Sequence, residues 1–376
     1  RKLLLMENPL VSIIVPGKNE GKHIFKLASS LKEQSYQNFE LIIVDDGSDD
    51  DTERICNSLK KSGLIDVFIR NEVRGGKASG ANTALRFAKG KFIIHLDADC
   101  SYDRDAIEQI LIPFYEDDSV GAVGGNVMAR NYKESLATTL QGMEYVDAIS
   151  IGRMVSSYLG IYKIISGAFG AFRMDILQKV HGWDIGPGLD GDITVKFRKL
   201  GYKIVFEDRA VCQTNVPNTF RKLAKQRMRW DKSLIRFRLR KHNDVLLPTE
   251  NFNFMTFISF VENITYTLVL NIKWYFYAFD MFFNFTGMIG IIIVMNFFLY
   301  TLANLFKLIV FNMFRERKNA SFSYYLAFTP LMVLYHGYFL RFVRTSAYLK
   351  EILFKSSYND SWNPEKTSAK AREIGI

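Results

Sequence analysis

Cysteine is scarce in this 376-residue chain: Cys56, Cys100 and Cys212 stand far apart, and none belongs to a Cys-x-x-Cys pair. This argues against a disulfide framework or a thiolate zinc site and fits a reducing cytosol for the soluble part. Two glycine signatures are also missing. No G-x-G-x-x-G follows the first apolar run, which sets aside a dinucleotide-dependent dehydrogenase, and no G-x-x-x-x-G-K-[ST] phosphate loop occurs. Gly75-Gly76-Lys77 lacks the upstream glycine and the following hydroxyl of such a loop. No cleavable signal sequence is visible, and because the chain opens on Arg1, upstream residues, further spans among them, are left open.

Charge is absent from residues 286–306, a run long enough to cross a bilayer. Residues 322–340 also lack formal charge if His336 is neutral, and they carry Pro330, which membrane helices tolerate. Both are expected to be spans. Residues 252–285 are densely aromatic but hold Glu262, Lys273 and Asp280. Each would cost about 2.5–3.5 kcal/mol at a bilayer centre, so an interfacial helix and a span lining a polar pathway both fit. Arg315, Arg317 and Lys318 favour a cytosolic loop at 307–321, while Arg341, Arg344 and Lys350 put positive charge beyond the last run. Either 341–356 is interfacial or the span count changes.

Apolar residues make up 48% of the chain, and the net charge of +10 is largely local. Between Phe220 and Lys241 there are ten Lys or Arg against the single Asp231. Phe220, Leu223, Trp230, Leu234 and Phe237 recur at three- and four-residue spacing, marking one face of a helix. A basic amphipathic helix beside apolar runs suits anionic membrane lipids; no nucleic-acid motif accompanies it. The expected organisation is an α/β unit over 1–217, a basic interface helix and linker over 218–251, a membrane region over 252–345 and a polar tail over 346–376.

Within the first unit, Val11–Val15, Glu40–Val44, Asp66–Ile69 and Phe92–Leu96 read as short buried strands, with helical stretches near 21–34, 50–61, 77–89 and 104–116. This alternation predicts a parallel α/β sheet with a ligand crevice at the carboxyl ends of the strands. Polar clusters sit at those ends: Pro16 to Glu20 with Asn19 between, Asp45-Asp46-Gly47-Ser48, and Asp97-Ala98-Asp99. If Asp97 and Asp99 continue the strand, they share a face about 6–7 Å apart. Their repulsion, on the order of 2–3 kcal/mol at an effective dielectric near 20, would be reversed by a divalent cation. Carboxylate oxygens suit Mg²⁺ or Mn²⁺.

Four further clusters bear on chemistry. Lys77 opens a segment rich in small residues and supplies a cation. Ser166 and Gly167 lie in Ile165-Ser-Gly-Ala-Phe-Gly-Ala-Phe-Arg173, where small residues let a substrate approach the backbone. Asp190 and Asp192 precede a helix beginning near Ile193, and either could cap it. Gln226, Arg229 and Trp230 fall within two helical turns.

The order of these motifs resembles the processive family 2 glycosyltransferases, the membrane synthases of cellulose, chitin, hyaluronan, poly-N-acetylglucosamine and mixed-linkage glucan. The resemblance covers about residues 10–240, and its sharpest element is Q-x-x-R-W at Gln226, Arg229 and Trp230. It implies a GT-A domain that binds a UDP-sugar, with Pro16, Asn19, Glu20, Asp46 and Lys77 around the nucleotide. It also implies Asp97 on the nucleotide and Asp99 on a Mg²⁺ or Mn²⁺ ion, with Gln226 and Arg229 on the diphosphate. Ser166, Gly167 and Trp230 would face the growing polysaccharide. The family's third acidic motif carries Glu before Asp; Leu189 stands at that Glu position, which makes Asp190 the expected general base and Asp192 the alternative. Cys100, where cellulose synthases often carry His, is too soft to serve Mg²⁺.

The expected activity is processive, inverting synthesis of a β-glycan at the plasma membrane, by a multi-pass protein with a cytosolic catalytic domain. The surroundings of Asp97 and Asp192 resemble β-glucan synthases most, favouring UDP-glucose. The alternatives are an N-acetylglucosamine polymer, transfer of one sugar to a lipid phosphate, or a nucleotide-sensing channel or scaffold. No accessory protein is identifiable from these residues.

Overall fold

The computed structural model describes residues 1–184, 188–248, 252–314, 322–359 and 364. Eight strands form one sheet: β1 (Val11–Gly17), β2 (Phe39–Asp45), β3 (Val67–Arg70), β4 (Phe92–Leu96), β5 (Ser101–Tyr102), β6 (Val120–Ala129), β7 (Phe169–Arg173) and β8 (Lys203–Thr214), in the order β3-β2-β1-β4-β7-β6-β8-β5. The expected parallel arrangement holds for β3, β2, β1 and β4, with Ile14 opposite Ile42 and His95. The other half is mixed: β7 pairs antiparallel to both β4 and β6, β6 runs parallel to β8, and β5 is antiparallel to β8. β7 arises from the small-residue segment ending at Arg173, and its entry beside β4 brings Ser166 and Gly167 next to Asp97.

Side-chain alternation along the central strands divides the interior into two layers. Ile13, Val15, Leu41, Ile43 and Ile94 pack with Ile24, Leu27, Leu31 and Ile107, while Ile14, Ile42, Val44 and Ile93 pack with Ala78, Ala81, Ala84 and Phe197 on the other face. The Lys77–Leu85 helix uses small residues because it lies close on β1; a Cβ on Gly80 would stand 2.9 Å from the Pro16 Cβ. That close approach delivers Lys77 to the crevice. The 104–116 stretch divides into Ala106–Leu111 and Pro113–Glu116, since Pro113 has no N–H to continue the ladder.

Among the described residues, three helices have the length and apolar character to cross a membrane: Phe254–Asn284, Thr286–Met313 and Phe322–Phe354. Thr286–Met313 leaves Ile291, Phe298, Leu302 and Phe306 exposed, surface that water would penalise and hydrocarbon would cover. Residues 252–285 thus resolve into a continuous helix, whose Glu262 meets Lys163 of the α/β unit rather than an apolar surround. The run at 322–340 continues past its expected end to Phe354. There Arg344 reaches Asp231 at 3.3 Å, and Glu351 accepts from Arg240 at 2.6 Å, so the charged extension docks on the basic helix. Arg315, Arg317 and Lys318 lie outside the described residues.

Candidate active site

The crevice begins where β1, β2 and β4 end. Asn19 adopts a left-handed conformation (φ 61°), its N–H donating to Ser48 Oγ at 2.8 Å while its Oδ1 accepts from Asp49 N at 3.1 Å. These bonds tie the first two rim loops together. Asp46 accepts from Gly75 N at 2.8 Å and Gly76 N at 2.7 Å. Its carboxylate therefore fixes the turn that launches the helix of Lys77. Pro16 is buried beneath Gly80.

β4 stops at Leu96, so Asp97 and Asp99 occupy a turn and not the strand face expected from their spacing. The turn brings them closer: ligand atoms of Asp97, Asp99 and Cys100 all lie within 4.8 Å of one another. Two carboxylates fit a hard divalent cation, and the Cys100 thiol instead donates weakly to Asp99 Oδ1 at 3.5 Å. Lys77 Nζ donates to Asp97 Oδ1 at 2.5 Å and to the Gly167 carbonyl at 3.4 Å. Glu20 completes the acidic rim. Burial first, then Asp99 and Asp97, push its carboxyl from an ordinary 4.5 up to about 7.

Asp190 enters this cluster from the second turn-forming position of the Leu189–Lys199 helix. Its carboxylate lies against the Gly167 α-carbon, where a Cβ would stand 2.4 Å from Oδ1, so only glycine fits. Thr194 Oγ1 donates to the Asp190 carbonyl at 2.7 Å and accepts from Ile165 N at 3.1 Å, bridging the two backbones. On the far side, His95 Nδ1 bonds the Gly167 carbonyl at 2.7 Å; burial and Lys77 hold this ring neutral, with a pKa of about 3, so Nδ1–H is the donor. Burial raises the Asp190 pKa, Lys77 opposes that, and Asp97 reinforces it. A carboxylate so placed has an increased appetite for a proton.

Asp192 stands in different surroundings. It is 4% exposed, its Oδ1 accepting from His242 Nε2 at 2.6 Å and meeting Lys241 Nζ at 2.7 Å. Burial opposes its ionisation, but the His242 hydrogen bond and the Lys241 charge hold its pKa at about 2. The helix Phe220–Leu234 carries Gln226, Arg229 and Trp230, and Thr219 caps it by accepting from Lys222 N at 3.3 Å. Trp230 is 41% exposed, with the Arg227 guanidinium 4.3 Å over its ring. The helix approaches the acidic cluster through its end: Cβ atoms on Gly188 or Gly191 would collide with Phe237.

The structure thus gathers Lys77, Asp97, Gly167 and Asp190 in contact, with Glu20 and Asp99 beside them. Ser166 Oγ accepts from Ala168 N at 3.4 Å, helping to shape the same loop. Sequence reasoning missed His95, Arg227 and the Arg227 partner Glu144, which lies 2.9 Å away and also accepts from Tyr335 Oη at 2.7 Å. Arg227 was within the motif already noted; Glu144 and His95 carried no local signal.

Residues 12–180 match the Glycosyl transferase family 2 model. Over 222 residues the chain is 34% identical to the poly-beta-1,6-N-acetyl-D-glucosamine synthase of Staphylococcus epidermidis and 32% identical to that of Staphylococcus aureus strain COL, covering 58% of this chain and 53% of each relative. The chain therefore spans about half the length of these curated relatives. Among solved structures, it resembles the mannosyltransferase PcManGT from Pyrobaculum calidifontis in complex with GDP-Man and Mn²⁺, with a TM-score of 0.62 and 20% identity over 92% of this chain and 88% of that one. That likeness establishes a shared GT-A architecture. Motif order, sheet and matched family model agree on a family 2 glycosyltransferase domain at residues 12–180.

Proposed function

We propose that this protein is a membrane-embedded, inverting polysaccharide synthase that extends a β-linked glycan from a UDP-sugar and passes it through its own spans. The observation that carries this reading is Asp190 seated against Gly167 beside the Lys77–Asp97 pair. An acceptor hydroxyl loses its proton to the Asp190 carboxylate as its oxygen bonds the anomeric carbon. The bond from that carbon to the diphosphate breaks on the opposite face, and UDP leaves with the electron pair, so the anomeric centre inverts. In this reading Lys77 and Arg229 offset the charge developing on the diphosphate, and Gln226 contributes an amide donor to it. Pro16, Asn19 and Glu20 frame the nucleotide, and Asp46 acts by fixing the Gly75–Gly76 turn. Asp97 and Asp99 would hold Mg²⁺ or Mn²⁺, which supplies positive charge for the diphosphate when bound.

Between Asp190 and Asp192, burial within an ion-paired cluster supports assigning the latter to structure. The donor preference also shifts. UDP-glucose was favoured by motif surroundings, whereas relatives sharing about a third of residues across 222 positions are synthases of poly-N-acetylglucosamine, which supports UDP-N-acetylglucosamine. Trp230 offers one indole face to the terminal sugar of the acceptor, Arg227 covering the other. Ser166 and Gly167 border the same acceptor path.

A panel of radiolabelled UDP-sugars tests the donor. Long, hexosaminidase-sensitive chains from UDP-N-acetylglucosamine are expected; a single sugar on lipid phosphate would overturn processivity. Asp190→Asn should lower transfer by about a hundredfold or more, the lower end of what a general base contributes, with UDP binding nearly intact. Unchanged synthesis would remove Asp190 from the base role.

A further inference from the structure

Among the described residues, a densely connected polar cluster outside the reacting centre surrounds Asp192, and no step of the proposed reaction uses it. Its members come from two places far apart in the chain. Lys196, on the same helix as Asp192, reaches Asp184 Oδ1 at 2.6 Å, and Lys241 bonds the other Asp184 oxygen as well as Asp192. His242 donates through Nε2 to Asp192 Oδ1 at 2.6 Å, while Lys199 Nζ donates to its Nδ1 at 3.0 Å. Because the ammonium has no lone pair, Nδ1 is the acceptor, which fixes the tautomer with its proton on Nε2. Lys199 is itself held by Asp244 at 2.6 Å.

Beside this polar cluster, Phe237 rests on the backbone of Gly188 and Gly191, with no room for a side chain at either glycine. Phe237, Lys241 and His242 all follow directly on the helix that carries Trp230. They grip the first turn of the helix that carries Asp190. Asp190 and Asp192 are two residues apart in that turn, so a shift of one moves the other.

We propose that Lys241 and His242 are positioning residues that set the place of Asp190, so that seating the amphipathic helix and presenting the base are a single event. The inference rests on Asp190 as the base and deepens that reading. Charge matching explains why the clamp needs this chemistry: a buried carboxylate takes one oriented N–H and one ammonium, and loses its fixed position when either is removed.

The test uses the full-length protein in membranes with the UDP-sugar that the wild type consumes fastest. His242→Ala should cut kcat by about tenfold, the cost of misplacing a catalytic group by a fraction of an ångström, with donor KM within about twofold. His242→Gln, whose amide N–H can replace Nε2–H, should restore most of the rate. Lys241→Met should lower kcat in the same direction. Rates are normalised to folded protein, measured by UDP binding, so that simple loss of fold is separated. Wild-type kcat in His242→Ala, or a loss that Gln does not recover, overturns the clamp. If Asp190→Asn keeps its activity, the base reading fails instead, whatever the His242 variants do.

Discussion

At the scale of the residue, the acidic rim makes a measurable demand on stability. Glu20 is held near 7 by burial and by Asp99 and Asp97, against 4.5 when free. A carboxyl raised on folding binds its proton more tightly in the native state, so its favourable contribution is complete below about 4.5 and lost as pH rises through about 7. In chelator, the thermal midpoint of the wild type should therefore fall between about pH 5 and 7.5, and Glu20→Gln should flatten that part of the profile. An unchanged slope in Glu20→Gln would place the titration elsewhere. The Asp97–Asp99 pair, Lys77 and the two candidate bases were all legible in the sequence, because each sits where an apolar run ends or a helix begins. The different surroundings of Asp190 and Asp192 were not. Those of Asp192 depend on His242, 50 residues away, and no local pattern announces so distant a partner.

At the scale of the element, the Phe220–Leu234 helix is secured by a chain of polar contacts across three segments. Arg227, 8% exposed, pairs with Glu144, which also binds Tyr335 of the last apolar helix. Breaking such a buried pair on one side strands the other charge, at about 3–5 kcal/mol. Arg227→Met alone should lower thermal stability in detergent by more than Arg227→Met combined with Glu144→Leu, and the difference measures the stranded carboxylate. Equal losses would mean that Glu144 is solvated without its partner. The first four strands and their helices were readable from apolar runs and their spacing. The antiparallel insertion of β7 was not, because Phe169–Arg173 sets adjacent Gly170 and Ala171 between two phenylalanines, shows no period of two, and reads equally well as a loop. The two-residue β5 is too short to carry any period.

At the scale of the whole molecule, the α/β unit and the apolar helices are joined by charge as much as by packing. Lys163 meets Glu262, Lys307 meets Asp147 at 3.1 Å, and Asp231 meets Arg344. The exposed face of Thr286–Met313 leaves little choice of surroundings. The chain should stay in the membrane pellet after extraction with alkaline carbonate, which strips proteins held by charge alone; release into the supernatant would contradict spanning helices. Two of the apolar runs were evident from their lack of charge. The third was obscured by Glu262, Lys273 and Asp280, and only the meeting of Glu262 with Lys163 explains how a carboxylate is accommodated there.

The contact of Phe237 with Gly188 and Gly191 bears on how this protein could be recombined with its relatives. A hybrid joined at residue 217 would import a foreign ring above the native glycines, or native phenylalanine above bulkier residues, and its acidic loop would be forced aside. Junctions placed beyond His242 keep both surfaces from one parent. Such hybrids should turn over sugar, while those cut earlier should fold and stay silent.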